Sequence, residues 1–254
     1  MLEIEGLTKN FGGLCAVNNL DLSIQKEDLI GLIGPNGAGK TTVFNLVTGF
    51  LRPSKGKIVF EGRDITGNNP HYIAKIGIIR TFQSDKIFPD FTVLQNIKTA
   101  CYLYPKIGLL EAAFHTSSCR KKEEYAYSRS LEIAEFTGLD TMINILACNL
   151  PHGYKRILGI AIALAAKPKL LILDEPLSGM NATEVYVAIE LIKKIWRQGI
   201  TILLIEHNMK AAMSLCRRIA VLNFGKKMTE GPPDEIVKNQ EVIQAYLGVN
   251  LDVT

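Results

Sequence analysis

"GPNGAGKTT", Gly34 to Thr42, follows the apolar run Leu29–Ile33 and leads directly into the helix-forming segment "TTVFNLVTG". It fits G-x-x-x-x-G-K-[ST] in a strand–loop–helix setting, the context in which that spacing carries chemistry. Gly34, Gly37 and Gly39 let the backbone curl so that successive N–H groups face inward around a phosphate, with Pro35, Asn36 and Ala38 completing the loop. Lys40 can then reach the β- and γ-phosphates, and the Thr41 hydroxyl is placed for Mg²⁺, with Thr42 beside it. A loop of this kind belongs to an α/β sheet whose ligands sit at the carboxyl ends of parallel strands.

Working outward, the flanking pattern agrees. "LIGLIG" (Leu29–Gly34), "LLILDE" (Leu170–Glu175), "ITILLIE" (Ile200–Glu206) and "RIAVLNFG" (Arg218–Gly225) are near-continuous apolar runs, as in strands buried on both faces. "LEIEGL", "LDLSI" and "KIVFEG" (Lys57–Gly62) alternate with polar residues and predict an antiparallel layer at the N-terminal side. Between about Thr92 and Asn149 the strand runs stop. "TVLQNIKTACYLY" and "CRKKEEYAYSRSLEIAEFTGLD" have helical period, the second with Leu131, Ile133, Ala134 and Phe136 on its apolar face. The expected organisation is one domain over residues 1–254. Residues 1–91 and 150–254 form its α/β core, and a helical subdomain at about 92–149 is inserted between them. After Pro232-Pro233 a short helix and "EVIQAYLG" end the sequence.

Composition excludes several classes. The 254 residues are 47% hydrophobic and 21% charged, which suits a folded globular chain. The net charge of +4 is mild. The short basic clusters Arg120–Lys122 and Arg217–Arg218 read as solvated faces, so no nucleic-acid partner is expected. Five scattered cysteines without a C-x-x-C pair read as reduced and mostly buried. No leader pattern opens the sequence, and the longest apolar run, Ile157–Ala166, is about half of what a bilayer needs. A soluble chain that can dock on a membrane component is expected.

Three further pieces carry candidate chemistry. Asp174 and Glu175 end an apolar strand where open sheets place ligands; Asp174 suits a Mg²⁺ contact and Glu175 the orientation or deprotonation of an attacking water. Alone the pair would read as a surface helix cap, but a P-loop upstream inverts that preference. "LLIEHN" ends in Glu206-His207, and His207 is as readily a satisfied surface histidine as a γ-phosphate ligand. Gln83, in "RTFQSDKIFP", has an amide able to see metal and water, though taken singly it is a loop glutamine. "NLPHGYKRILGIAIALA", Asn149–Ala165, starts a helix whose unpaired N–H groups suit an anion.

In this order the pieces closely resemble the ATP-binding subunits of ABC transporters, from about Leu2 to Gly248. The resemblance makes Gly34–Thr41 the Walker A run, Gln83 the Q-loop glutamine, Leu170–Asp174 the Walker B strand and Glu175 the catalytic carboxylate. It makes Ser178–Asn181 the D-loop and His207 the switch histidine, and it stacks Phe11 on adenine. Thr41, Gln83 and Asp174 become the Mg²⁺ ligands. The family's signature loop, usually Leu-Ser-Gly-Gly-Gln, falls on Leu150-Pro151-His152-Gly153-Tyr154 and caps the γ-phosphate held by a second subunit. Pro151 removes a hydroxyl and a donor, whereas Gly153 keeps close approach open. The resemblance implies a Mg²⁺-dependent ATPase that dimerises with itself or a related subunit around two ATP molecules. Such a chain is cytoplasmic, peripheral on the inner face of the cell membrane through permease subunits, and never touches the solute. "FGGLCAV", "TFQSDKIFPDFTVLQNI", "SGMN", "IEHNM" and "EVIQAYLG" are similar to importers of branched-chain amino acids. Relatives with similar motifs serve urea, other amides or lipopolysaccharide export. The docking surface implied for the permease is Gln83–Asn96, with Phe88, Phe91 and Val93 as its apolar candidates, each as readily a packing residue inside the helical subdomain. The rival readings are a soluble ABC protein acting on nucleic acid or ribosomes and a nucleotide-binding module that does not hydrolyse.

Overall fold

The computed structural model describes residues 1–81, 87–102, 117–206 and 209–247. The alternating N-terminal runs form β1 (Leu2–Phe11) and β2 (Leu14–Ile24), and β3 (Leu29–Ile33) leads into the P-loop and helix α1 (Lys40–Val47). Strands β4 (Lys55–Phe60) and β5 (Arg63–Asp64), helix α2 (Pro70–Lys75) and β6 (Ile78–Arg80) follow. The helical stretch contributes α3 (Val93–Cys101) and α4 (Ser117–Thr137), before α5 (His152–Ala165) returns the chain to β7 (Leu170–Asp174). Helix α6 (Ala182–Arg197), β8 (Thr201–Glu206), α7 (Met209–Leu215), β9 (Arg218–Asn223) and β10 (Lys226–Gly231) precede two C-terminal helices, α8 (Pro233–Ile236) and α9 (Gln240–Leu247).

The strands make an antiparallel sheet in the order β2-β1-β4-β5 and a larger sheet in the order β10-β9-β3-β8-β7-β6. In the larger sheet β9, β3, β8, β7 and β6 run parallel, and β10 closes one edge antiparallel. Period-2 alternation sorts its strand residues between two cores. Leu29, Ile33, Leu171, Leu173, Ile202 and Leu204 face the cluster built with α3 to α6. Ile30, Leu32, Leu170, Ile172, Leu203 and Ile205 face the cluster shared with α1 and the antiparallel sheet. Burial on both faces is why these strands contain almost no polar residue. The register then fixes the site: Ile33 lies opposite Glu206, and Asp174 opposite Ile205. The P-loop and both acid-tipped strands therefore end at one edge.

The polar run Lys226–Gly231, which the sequence did not single out, is a strand paired only along β9 and so free of the two-faced burial that marks the others. Two expectations need correction. Arg218 is not on a solvated face. It donates to Asp28 at 2.6 Å and pairs with Glu230, tying β9 to the turn before β3 and to β10. In α4 the fully buried stripe is Cys119, Ala126, Ser130, Ile133, Ala134 and Thr137; Leu131 and Phe136 are only half-buried. Lys194 sits over the Phe136 ring at 4.1 Å.

Candidate nucleotide site

The loop after β3 is held in a shape that few sequences allow. Gly39 has φ 102, and a Cβ there would lie 2.4 Å from the Ala16 carbonyl oxygen, so no side chain fits. Its curl delivers Lys40 to the head of α1, 7% exposed, where Nζ donates to the carbonyls of Gly34 at 2.7 Å and Pro35 at 3.0 Å. Burial lowers the Lys40 pKa, and the nearby Glu175, Asp174 and Glu206 carboxylates oppose that shift. These acids keep a cation at the mouth of the loop.

Asp174 and Glu175 follow from the end of β7. Burial raises the Asp174 pKa first and the adjacent Glu175 charge second, against Arg80, Arg156 and Lys40. Two acids in a partly dry site, with Thr41 and Glu175 lining one cleft, are a donor set suited to a hard divalent cation that keeps phosphate and water as its other ligands. Glu175 stands at φ 46, a left-handed conformation that a glutamate seldom adopts, and its N–H donates to the Ile205 carbonyl at 2.9 Å. Strain of this kind persists where the surroundings impose it and clusters at functional positions. Glu206, 1% exposed, accepts from the Leu177 N–H at 3.3 Å and so braces the segment after Glu175.

Lys40, Thr41 and Glu175 open onto a cleft of about 430 Å³, within the range of small-ligand sites, whereas Asp174 and Glu206 do not line it. Its lining includes Asn36 to Thr42, Glu175 and Phe11, as the sequence expects, together with Leu14, Cys15 and Phe224, which it did not single out. Phe11 is 45% exposed, with Lys9 Nζ 5.0 Å from its ring. Gln83 and His207 lie outside the described residues.

The signature-like segment is built differently from the simplest expectation. Leu150 is buried in the core, and Pro151 and His152 are exposed at the N-terminus of α5. Pro151 occupies the cap position, and no side chain caps the helix. Gly153, however, is buried: a Cβ there would lie 2.6 Å from the Glu184 carboxylate. Glu184 in turn forms a capping box with Asn181 at the start of α6. The glycine thus serves close packing within its own chain, and the outward face belongs to Pro151 and His152.

The expected docking residues also divide. Val93 and Asn96 are both 0% exposed. The Asn96 side chain bonds the backbone of Phe88, Phe91 and Thr92, organising the turn from within. Phe88 and Phe91 remain outside, stacked with centroids 5.1 Å apart. A separate apolar groove of about 440 Å³ runs past Phe50, Ile73, Ile79, Ile87 and Tyr102. The Arg80 guanidinium lies over the Phe44 and Phe50 rings there, at 4.1 and 4.7 Å. No described helix is long and apolar enough to cross a membrane.

A P-loop, an acid-tipped neighbouring strand and a helical segment ending in a second anion-suited helix start define an ATP-binding cassette. The ABC transporter family profile matches residues 17–178, and a C-terminal profile of branched-chain amino acid ATP-binding cassette transporters matches 226–251. The chain belongs to the ABC transporter family. It is 41% identical over 249 residues to LivG of Escherichia coli strain K12 and of Salmonella typhimurium, a high-affinity branched-chain amino acid transport ATP-binding protein, covering 98% of both chains. It is 40% identical to BraF of Pseudomonas aeruginosa, which carries the same description, again over 98% of each. A solved ATP-binding cassette of an ABC transporter in its ADP conformation superposes with TM-score 0.86 at 30% identity, over 98% of this chain and 99% of that one.

Proposed function

We propose that this chain is the ATP-hydrolysing subunit of an importer for branched-chain amino acids. It works as a dimer of cassettes seated beneath permease subunits on the inner face of the membrane. The observation that carries the chemistry is the convergence, at one sheet edge, of Lys40 with Asp174 and a strained Glu175. The cargo rests on full-length similarity to LivG and BraF.

The steps follow from positioning and charge, as phosphoryl transfer requires. The P-loop N–H groups and Lys40 bind the β- and γ-phosphates, replacing the carbonyl contacts that now hold Nζ. Phe11 stacks on adenine. Thr41 and Asp174, with Gln83, would hold Mg²⁺, and the ion would supply positive charge beside the phosphates. Glu175 orients the attacking water and accepts its proton, while His207 contacts the γ-phosphate. The N-terminus of α5, with Pro151 and His152 outermost, faces the nucleotide of the partner cassette. The groove beside Arg80, with its apolar walls, receives a permease helix.

One allele exchange tests both parts. Replacing the wild type with Glu175→Gln should abolish uptake of labelled leucine, isoleucine and valine while the purified variant still binds ATP. Lys40→Ala should instead weaken ATP binding, by roughly 1.5–3 kcal/mol for a lost charge-assisted phosphate contact. Near-native hydrolysis by Glu175→Gln would overturn the mechanism. Unchanged amino-acid uptake alongside lost hydrolysis would overturn only the cargo.

A further inference from the structure

Phe224 is a phenylalanine in a place that suits no phenylalanine. It is 84% exposed, so burial does not stabilise it. It also occupies the first position of the two-residue turn joining β9 to β10, with φ 44 there and 77 at Gly225. Positive φ at both central residues is the primed hairpin geometry, for which Asn-Gly or Asp-Gly is the favoured pair. A bulky residue in this conformation is a genuine outlier.

The turn is fixed in space. Gly225 N–H donates to the Ala38 carbonyl of the P-loop at 2.9 Å, and the Gly225 carbonyl accepts from Asn18 N–H at 2.8 Å. The open end of the hairpin is locked by the Arg218–Glu230 pair, and Lys227 pairs with the same Glu230 along β10. What this rigid hairpin presents is the Phe224 ring, at the rim of the cleft that also holds Phe11, Leu14 and the P-loop. Phe11 and Leu14 come from the β1–β2 turn and are themselves 45% and 67% exposed. Three exposed apolar side chains from two tethered turns therefore border one phosphate-binding cleft. A flat apolar ring is the ligand chemistry that fits such a border, since every base offers a π-face.

We propose that Phe224 is a second base-binding residue, contacting the purine of the bound nucleotide from the β9–β10 turn while Phe11 contacts it from the β1–β2 turn. The inference rests on the nucleotide-site reading above and adds a contact to it. Strain at residue 224 is then the signature of a ligand contact.

The test uses binding of ATP and of inorganic tripolyphosphate to the full chain, with thermal stability measured in parallel. Phe224→Asn should lower ATP affinity roughly 5- to 150-fold, the range that base–aromatic stacking spans. It should leave tripolyphosphate affinity unchanged. Its Tm without nucleotide should hold or rise, because asparagine suits the turn. Phe224→Trp should restore ATP affinity. Equal ATP affinity in wild type and Phe224→Asn overturns the proposal, and so does an equal loss for ATP and tripolyphosphate. Unchanged ATP affinity with lost ATP-driven dimerisation also overturns it and assigns the ring to the partner chain. A wild type that binds tripolyphosphate as tightly as ATP overturns the base contacts alone. A wild type that binds neither removes the nucleotide-site reading itself.

Discussion

Asp174 and Glu175 show how a single position trades stability for chemistry. Burial and the neighbouring carboxylate both push the Asp174 pKa up, so folding disfavours its charged form. For an acid whose folded pKa is raised, stability is greatest below the unfolded value and is lost as pH rises through the folded one. At neutral pH the metal-free protein therefore carries a destabilising charge. Asp174→Asn should raise the nucleotide-free Tm at pH 7 by about 2 °C or more, the size that ~1 kcal/mol produces in a chain this long. The gain should shrink as pH falls toward the carboxylate range, and Mg²⁺-ATP hydrolysis should be lost. Calorimetry across pH 4 to 8 checks the sign; a lower Tm at pH 7 would mean that Asp174 is chiefly a structural acceptor. The pair was legible in sequence only with the P-loop upstream, because two acids at a strand end would by themselves read as a helix cap. Phe224 was not, since a turn residue gains meaning only when two distant hairpins are brought to one cleft. Asn96 was read with the docking surface because a polar amide in a first helical turn gives no sign that it will bond the preceding loop from inside, whereas Val93 was open to either role.

At the scale of elements, the strands were the clearest part of the sequence, because burial on both faces leaves no room for polar residues. Strand β10 escaped because it pairs on one side only, and its polar run gives no period to read. The start of α5 was legible as a helix terminus, yet its packing was not: no sequence pattern announces that Glu184 will cover Gly153. That packing changes how the element should be tested. An aspartate at Gly153 would collide with Glu184 in its own chain, so loss of function there would say nothing about a partner. His152 is the better position, exposed at the first turn of a helix whose opening turn has no acid, with only the edge of its ring against the Gly179 backbone. A carboxylate at this end stabilises an isolated helix by about 0.3–1 kcal/mol. His152→Asp should therefore leave the monomer as stable as the wild type or more so. If this helix start faces a partner's γ-phosphate, the same charge should abolish the ATP-dependent dimer, measured by light scattering in a Glu175→Gln background. An intact ATP dimer would show that α5 faces something else.

Across the whole molecule, the C-terminal segment reaches back to the first motif. Helix α9 buries Val242 completely, and its Glu241, Gln244 and Ala245 line a second pocket with Pro35–Ala38 and Phe224. Tyr246 on the same helix brings its phenol near the Gly34 main chain, where the buried hydroxyl makes no well-formed hydrogen bond among the described residues. Burial pushes this phenol up to about 12 from an ordinary value of 10.0, with the Gly34 backbone opposing. The folded pKa is the higher one, so its contribution to stability is complete below pH 10 and disappears as pH rises toward 12. Tyr246→Phe removes both the unpaired hydroxyl and the titration, and an apolar ring of the same shape is neutral or stabilising at such a site. The variant should match or exceed the wild-type Tm at pH 8 and should lose less stability between pH 10 and 12. A stop after Asn239 acts in the opposite direction, because it removes the fully buried Val242, worth roughly 1.5–3 kcal/mol of burial. That truncation should lower Tm at pH 8 and raise the KM for ATP, since Pro35–Ala38 loses its outer support. Thermal scans at pH 8, 10 and 11.5 on the three proteins separate the two effects. A Tyr246→Phe protein less stable than wild type at pH 8 would mean that the hydroxyl bonds the P-loop directly. The C-terminal helix would then hold Gly34 through a hydrogen bond, not by packing alone.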